Sequence, residues 1–168
     1  MAISKKTSSK KTSRTVKRNH IGRKATRKHG QPGTYTVPRG HVSLAVPTFW
    51  TLRQTNDDLE IEAPSQTTSV IVTAFKHDKT TGPLDARDFL QRFLRTAPCN
   101  GRNKLEQESR QKASARFRDP EGDHWRVMFL SNGKTLLLAT CNTSASLASR
   151  EARTGAQVLD SLKLKPRE

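Results

Sequence analysis

The sequence predicts an α+β domain, with a mainly antiparallel sheet of about six strands and two main helices, preceded by a disordered basic arm. Three observations predict it. Runs of alternating polar and apolar residues are separated by turn signals short enough for hairpins. Two segments, near residues 86–95 and 146–162, switch to helical spacing. The first forty residues carry twelve Lys+Arg and no acidic side chain.

The charge division comes first in the chain. The 168 residues hold 31 Lys+Arg against 15 Asp+Glu, a formal charge of +16, and only 32% are hydrophobic, which excludes a membrane protein, a coiled coil and a disulfide scaffold. The first acid is Asp57. Before it, Lys5, Lys6, Lys10, Lys11, Arg14, Lys17, Arg18, Arg23, Lys24, Arg27, Lys28 and Arg39 give residues 1–40 a charge of +12, while residues 41–168 hold 19 basic and 15 acidic side chains, net +4. The chain therefore reads as an arm over residues 1–35 and a domain over 36–168. Between Met1 and Gln31 only Ile3, Val16 and Ile21 are sizeable aliphatics, and they follow no period. Such a segment buries too little to offset its ordering entropy, so disorder is expected in the free protein. Gly30-Gln31-Pro32-Gly33 punctuates its end.

An arm of this kind gains affinity for DNA or RNA by neutralising phosphates and releasing their counterions, without reading sequence. No aromatic precedes Tyr35, so base stacking contributes little there. A solubilising terminus, an acidic protein surface and an anionic membrane are the competing readings. A secretory signal would require an apolar run that is missing, and the Lys5-Lys6 and Lys10-Lys11 pairs lack the amphipathic partners of an organellar transit peptide. Lys10-Lys11 through Lys17-Arg18 weakly resembles a nuclear signal.

From His41 the period changes to two. Val42, Leu44 and Val46 share one face of a strand that Pro47 stops. Phe49 to Leu52 starts a second short extended piece; Asn56-Asp57-Asp58 turns the chain into Leu59-Glu60-Ile61-Glu62-Ala63, with Leu59, Ile61 and Ala63 inward. Ser69 to Phe75 is the most β-prone run and predicts a central strand. After Gly82-Pro83, Ala86, Phe89, Leu90, Phe93 and Leu94 fall at helical spacing, and Pro98-Cys99-Asn100-Gly101 ends that helix. A three-stranded meander follows: Leu105 to Arg118, a turn at Asp119-Pro120-Glu121-Gly122, Asp123 to Ser131, a type I′ hairpin at Asn132-Gly133, and Thr135 to Cys141, apolar on both faces and so buried on both. A closing helix from Ser146 to Leu162 carries an Ala148, Ala152, Ala156, Leu159 and Leu162 stripe.

Val42-Ser43-Leu44-Ala45-Val46-Pro47-Thr48-Phe49-Trp50 is similar to the F-S-h-x-h-P-x-x-W opening of the PsbP/Mog/DcrB superfamily (h, apolar), and the Asp119-to-Cys141 hairpin with the closing Val158-Leu159-Asp160-Ser161-Leu162 is similar to its end. The resemblance covers residues 41–164 and leaves the arm outside. It implies an α/β/α sandwich around an antiparallel sheet. Members of that superfamily bind other proteins: extrinsic photosystem subunits, a nuclear Ran-binding factor, bacterial envelope lipoproteins and chaperones of type VI secretion effectors. They share no catalytic set, so the resemblance carries no catalytic residues over. This sequence departs in showing no signal or lipoprotein leader of the kind common to the bacterial and lumenal members, and the expectation is a cytoplasmic protein, nucleoid- or nucleoprotein-associated, or nuclear if eukaryotic.

Chemistry-bearing patterns are few. Cys99 and Cys141 are expected as two free thiols. The five histidines show no ligand spacing, and the G-x-S-x-G, Walker and G-x-G-x-x-G signatures are missing, so no enzyme, metal or cofactor is expected. Glu60/Glu62 and Glu106/Glu108 are carboxylate pairs at strand spacing, each facing one side. Trp50 and Trp125 belong to apolar alternations and are expected in the core, although an exposed tryptophan would anchor a partner.

One pattern extends the arm's footprint. Arg110, Lys112, Arg116 and Arg118 are all even-numbered in one expected strand, so they line one face, with Arg126 on the neighbouring strand. An ordinary solvated face neutralised by Glu106 or Glu108 is the competing reading. The sequence thus points to a non-enzymatic binding protein that engages nucleic acid through Lys5 to Lys28 and this stripe. The alternative is a protein-interaction module (a secretion chaperone, immunity-like protein or assembly factor) whose arm docks an acidic partner.

Overall fold

A computed structural model describes residues 32–37, 40–55, 58–76, 82–99 and 103–164. Its main sheet has seven strands: β3 (Thr51–Gln54), β4 (Asp58–Glu62), β5 (Thr68–Lys76), β6 (Lys104–Glu108), β7 (Lys112–Arg118), β8 (His124–Ser131) and β9 (Thr135–Thr143). They are ordered β3-β4-β5-β9-β8-β7-β6, and every pairing is antiparallel. A smaller sheet pairs β1 (Pro32–Val37), β2 (Gly40–Ala45) and β10 (Lys163–Leu164) in the order β1-β2-β10. Among the described residues there are two helices, α1 (Ala86–Thr96) and α2 (Arg150–Ser161).

Helix and sheet form three layers because the central strands are apolar on both faces. From β8 and β9, Met128, Leu137, Ala139 and Cys141 pack with Val158, Leu159 and Leu162 at α2 and with Val42 and Leu44 of β2. Their sequence neighbours Val127, Phe129 and Leu136 point the other way, onto Ala86 and Leu90 of α1. The result is an α/β/α sandwich, with the small sheet beside α2. Burying a side chain such as Leu90, fully enclosed here, contributes about 2 kcal/mol.

Local chemistry sets the helix ends. Asp85 caps α1 by accepting the Arg87 N–H at 2.9 Å, and Ser149 caps α2 by accepting the Ala152 N–H at 3.1 Å. Phe89 and Phe93 of α1 meet Phe129 at ring centroid distances of 6.3 and 6.0 Å. Helix α2 starts four residues later than its spacing predicts, and its buried residues are Ala152, Gly155, Val158 and Leu159. Gly155 replaces Ala156 at the centre of that contact for a steric reason. A Cβ there would stand 2.8 Å from Cys141 Sγ and 2.9 Å from Thr68 Cγ2.

Three sequence expectations are corrected. The single strand expected from Leu105 to Arg118 is two, β6 and β7, joined through Ser109, Arg110 and Gln111. Ser109 closes that turn: its Oγ donates to the Lys112 carbonyl and accepts the Lys112 N–H. Glu106 and Glu108 face opposite sides, because the β6–β7 register shifts between Leu105 and Gln107. The β8–β9 turn is not type I′: only Gly133 has a positive φ, 82°, while Asn132 Oδ1 accepts the N–H groups of Lys134 and Thr135. Strand β1 begins at Pro32 and pairs with β2 along its whole length.

Candidate functional site

Helix α2 crosses β5 and β9. Strands β7 and β6 continue the sheet beyond it to the edge. Residues opposite one another in an antiparallel pair share a face. Lys112 stands opposite Leu130, Ser114 opposite Met128, Arg116 opposite Arg126 and Arg118 opposite His124. Three of the four cations expected on this stripe are therefore on one face, with Arg126 beside them, and Arg116 and Arg118 are exposed. Lys104 of β6 lies opposite Arg116 and joins them. The sequence shows no sign of Lys104, because its place depends on the β6–β7 hairpin that the even-number spacing conceals.

Arg110 does not belong to this face. It sits in the β6–β7 turn on the α1 side, with Nε 3.7 Å from Asp85 Oδ2 and its backbone carbonyl accepting the Ala86 N–H at 2.9 Å. The two-residue alternation runs unbroken through Ser109-Arg110-Gln111 because that turn uses neither glycine nor proline.

The carboxylates that neutralise part of the face are specific. Glu106 accepts from Arg126 Nε at 2.7 Å and also pairs with Arg116 Nε. Arg126 continues to α2, where Nη2 meets Asp160 Oδ1 at 2.9 Å and Nη1 donates to the Ala156 carbonyl at 3.3 Å. Burial pushes the Arg126 guanidinium down, but Asp160 and Glu106 outweigh it and hold it above its ordinary value. Arg118 is held by the turn it precedes: Nε donates to the Gly122 carbonyl at 2.9 Å, and Nη2 donates to His124 Nε2 at 3.2 Å. Lys104 and Lys112 make no ion pair among the described residues. Both readings of the stripe therefore hold in part. Glu106 neutralises its middle, while Lys104, Lys112 and Arg118 keep the face cationic. The eleven arm cations from Lys5 to Lys28 lie outside the described residues.

The titratable core groups are structural. Asp119 accepts the Trp125 indole N–H at 2.8 Å and the Asp123 N–H at 2.9 Å. The indole bond, opposed by burial and aided by backbone N–H groups, holds its carboxyl below the usual value. Cys99 and Cys141 are both free. Burial, slightly offset by Arg126, pushes the Cys141 thiol up to about 11, far from a reactive thiolate. Trp50 and Trp125 are half-buried and pack on the two cores. Among the described residues no group of three or more His, Cys, Asp or Glu is placed to hold a metal, and no helix is long and apolar enough to cross a membrane.

No family model and no curated protein matches this sequence. Among solved structures, the chain superposes on the solution structure of cyanobacterial PsbP (CyanoP) from Synechocystis sp. PCC 6803 with a TM-score of 0.59 at 12% identity, covering 86% of this chain and 99% of that one. The fold is PsbP-like. A crystal structure from Bacteroides thetaiotaomicron matches over 75% of this chain with a TM-score of 0.48 at 16% identity; this chain spans 46% of that protein's length. At 12% identity, the likeness to CyanoP establishes the fold alone.

Proposed function

We propose that this chain is a non-enzymatic nucleic-acid-binding protein. Its basic arm, Lys5 to Lys28, engages DNA or RNA largely without reading sequence, and the PsbP-like domain adds the open face of Lys112, Arg116 and Arg118. One observation carries the reading: residues 1–40 hold twelve cations and no acid, a polycation whose natural counterpart is a phosphate chain. The domain's own basic residues support it, because Lys112, Arg116 and Arg118 share one sheet face and the two arginines are exposed on it. The cellular setting this reading fits is cytoplasmic, within a nucleoid or another nucleoprotein assembly.

A second reading, a protein-interaction module whose arm docks an acidic partner, draws on a different surface. Ile71 and Phe75 of β5 are 37% and 40% exposed, on the side of the sheet that also carries Glu60 and Glu62. Apolar groups in the open are what a protein partner covers.

Replacing the eleven arm cations by glutamine in the full chain separates the two. The nucleic-acid reading expects the wild type to retain mixed cellular DNA and RNA on purification at low salt, and the variant to lose it. Retention that is unchanged by the replacement would contradict it.

A further inference from the structure

The exposed flank of α2 overhangs a groove of about 360 Å³, within the size range of small-molecule sites. Its floor and outer wall are apolar: Cys141, Leu147, Ala152 and Ala156. The groove exists because α2 meets the sheet through small residues. Gly155 lets the helix sit close over Cys141 and Thr68, while Ala152 and Ala156 leave the flank empty where larger side chains would fill it. Leu147, 52% exposed, closes the outer end.

Every residue of the lining with full charge is an arginine: Arg116, Arg126 and Arg153, with no carboxylate among them. Arg116 and Arg126 are shared with Glu106. Arg153 is exposed and makes no ion pair among the described residues. Gln157 adds a side-chain amide at the rim, able to donate and accept. A flat apolar slot with cations at its mouth suits a ligand that is apolar in its body and anionic at its edge, and repels a cation.

We infer that this groove takes one unpaired nucleotide of a single-stranded nucleic acid. The base lies against Leu147, Ala152 and Ala156, the flanking phosphates face Arg116 and Arg153, and Gln157 meets the base edge. This rests on the nucleic-acid reading above and sharpens it: the arm supplies attraction to any phosphate chain, whereas the groove selects strands with accessible bases. A duplex keeps its bases stacked and would have to extrude one to fill the slot.

The test uses the full chain, with a fluorescent oligothymidylate and a blunt duplex of equal phosphate number, read by anisotropy at one moderate salt concentration. The wild type is expected to bind the single strand about tenfold tighter than the duplex, the scale of burying one base face against aliphatic side chains. Ala156→Leu, which fills the slot without offering an aromatic face for a base to stack on, is expected to remove that preference while leaving duplex affinity within about twofold. Should Ala156→Leu fail to fold, Arg153→Gln on the helix surface decides, with the single-strand affinity falling by about fivefold and the duplex affinity by less. Equal affinities for both strands in the wild type, or a preference that both variants keep, overturns the groove assignment and leaves the arm reading standing. Binding of neither nucleic acid by the wild type overturns both.

Discussion

Glu106 and Arg126, on strands that are not neighbours, meet at 2.7 Å across β7. The register places Arg116 directly opposite Arg126, a like-charge pair that opposes the sheet on its own. The bulge in β6 turns Glu106 onto this face, where one carboxylate serves both guanidiniums. Arg126 then passes the link to Asp160 of α2. An edge strand, an inner strand and a helix are held through one side chain.

Glu106→Gln removes that carboxylate charge and leaves two facing arginines with less to hold them. Stability at neutral pH is expected to fall by about 2 kcal/mol, since the pairs are charge-assisted and two of the three groups are largely shielded. Urea unfolding measures it. The same variant makes the face more cationic, so its affinity for nucleic acid at low salt is expected to rise. Opposite signs in the two assays separate a structural brace from a binding residue.

Asp119 ties the β7–β8 turn to the Trp125 indole. Its carboxyl is held below the usual value, so its ionised form favours the folded state. That contribution is complete above the ordinary carboxylate pKa and is lost as pH falls through the lowered value. Asp119→Asn is expected to melt at a lower temperature than wild type at pH 7, with the gap narrowing as the pH is brought down through the acid range. Melting curves across pH check it. A gap that widens on acidification contradicts the assignment.

Gly155→Ala should destabilise, against the helix propensity that favours alanine by about 1 kcal/mol. The added Cβ meets Cys141 Sγ at 2.8 Å and Thr68 Cγ2 at 2.9 Å, and overpacking of this kind costs about 1–3 kcal/mol. Cys141→Ala relieves one of the two clashes, so the double variant should be more stable than the sum of the single effects. Additive losses would mean that the helix shifts to accommodate the methyl group.

Thiol labelling distinguishes the two cysteines. Cys141 is buried, with its thiol pushed up to about 11, whereas Cys99 is half-buried in the stretch that follows α1. With a disulfide reagent at mildly alkaline pH, Cys99 is expected to react first and Cys141 only as the domain opens. Because its folded value is raised, the neutral Cys141 thiol contributes stability up to the ordinary cysteine pKa, and that contribution fades as pH rises toward 11. Two thiols that titrate at one rate in native conditions contradict this.

Much of the fold was legible in the sequence. The alternation of Leu59-Glu60-Ile61 and the both-sided apolar run Leu136-Leu137-Leu138 placed β4 and β9, and the Ala86-Leu90 spacing placed α1. What alternation does not carry is the identity of a strand's partner. Val42 and Leu44 read as part of one sheet, yet β2 pairs with β1 and β10 in a separate layer, since either placement buries the same apolar face. Turns without glycine or proline are equally hidden: Ser109-Arg110-Gln111 reverses the chain through a serine side chain, so even-number spacing alone places Arg110 on the wrong face. The cationic face itself was readable, since Lys112, Arg116 and Arg118 keep strand spacing inside β7. The groove was not, because its walls come from α2, Leu147 before it, β7, β8 and β9, and meet only through their packing.

The central claim is that the arm binds phosphate chains, and the salt dependence of binding tests it most directly. Log affinity of the full chain for duplex DNA, followed against log salt, is expected to fall linearly with a slope of about −5 or steeper. Replacing the eleven arm cations by glutamine should reduce that slope to about −2 or shallower, the share left to the domain's own basic face. A slope that is shallow in the wild type, or unchanged when the arm is neutralised, would contradict the account.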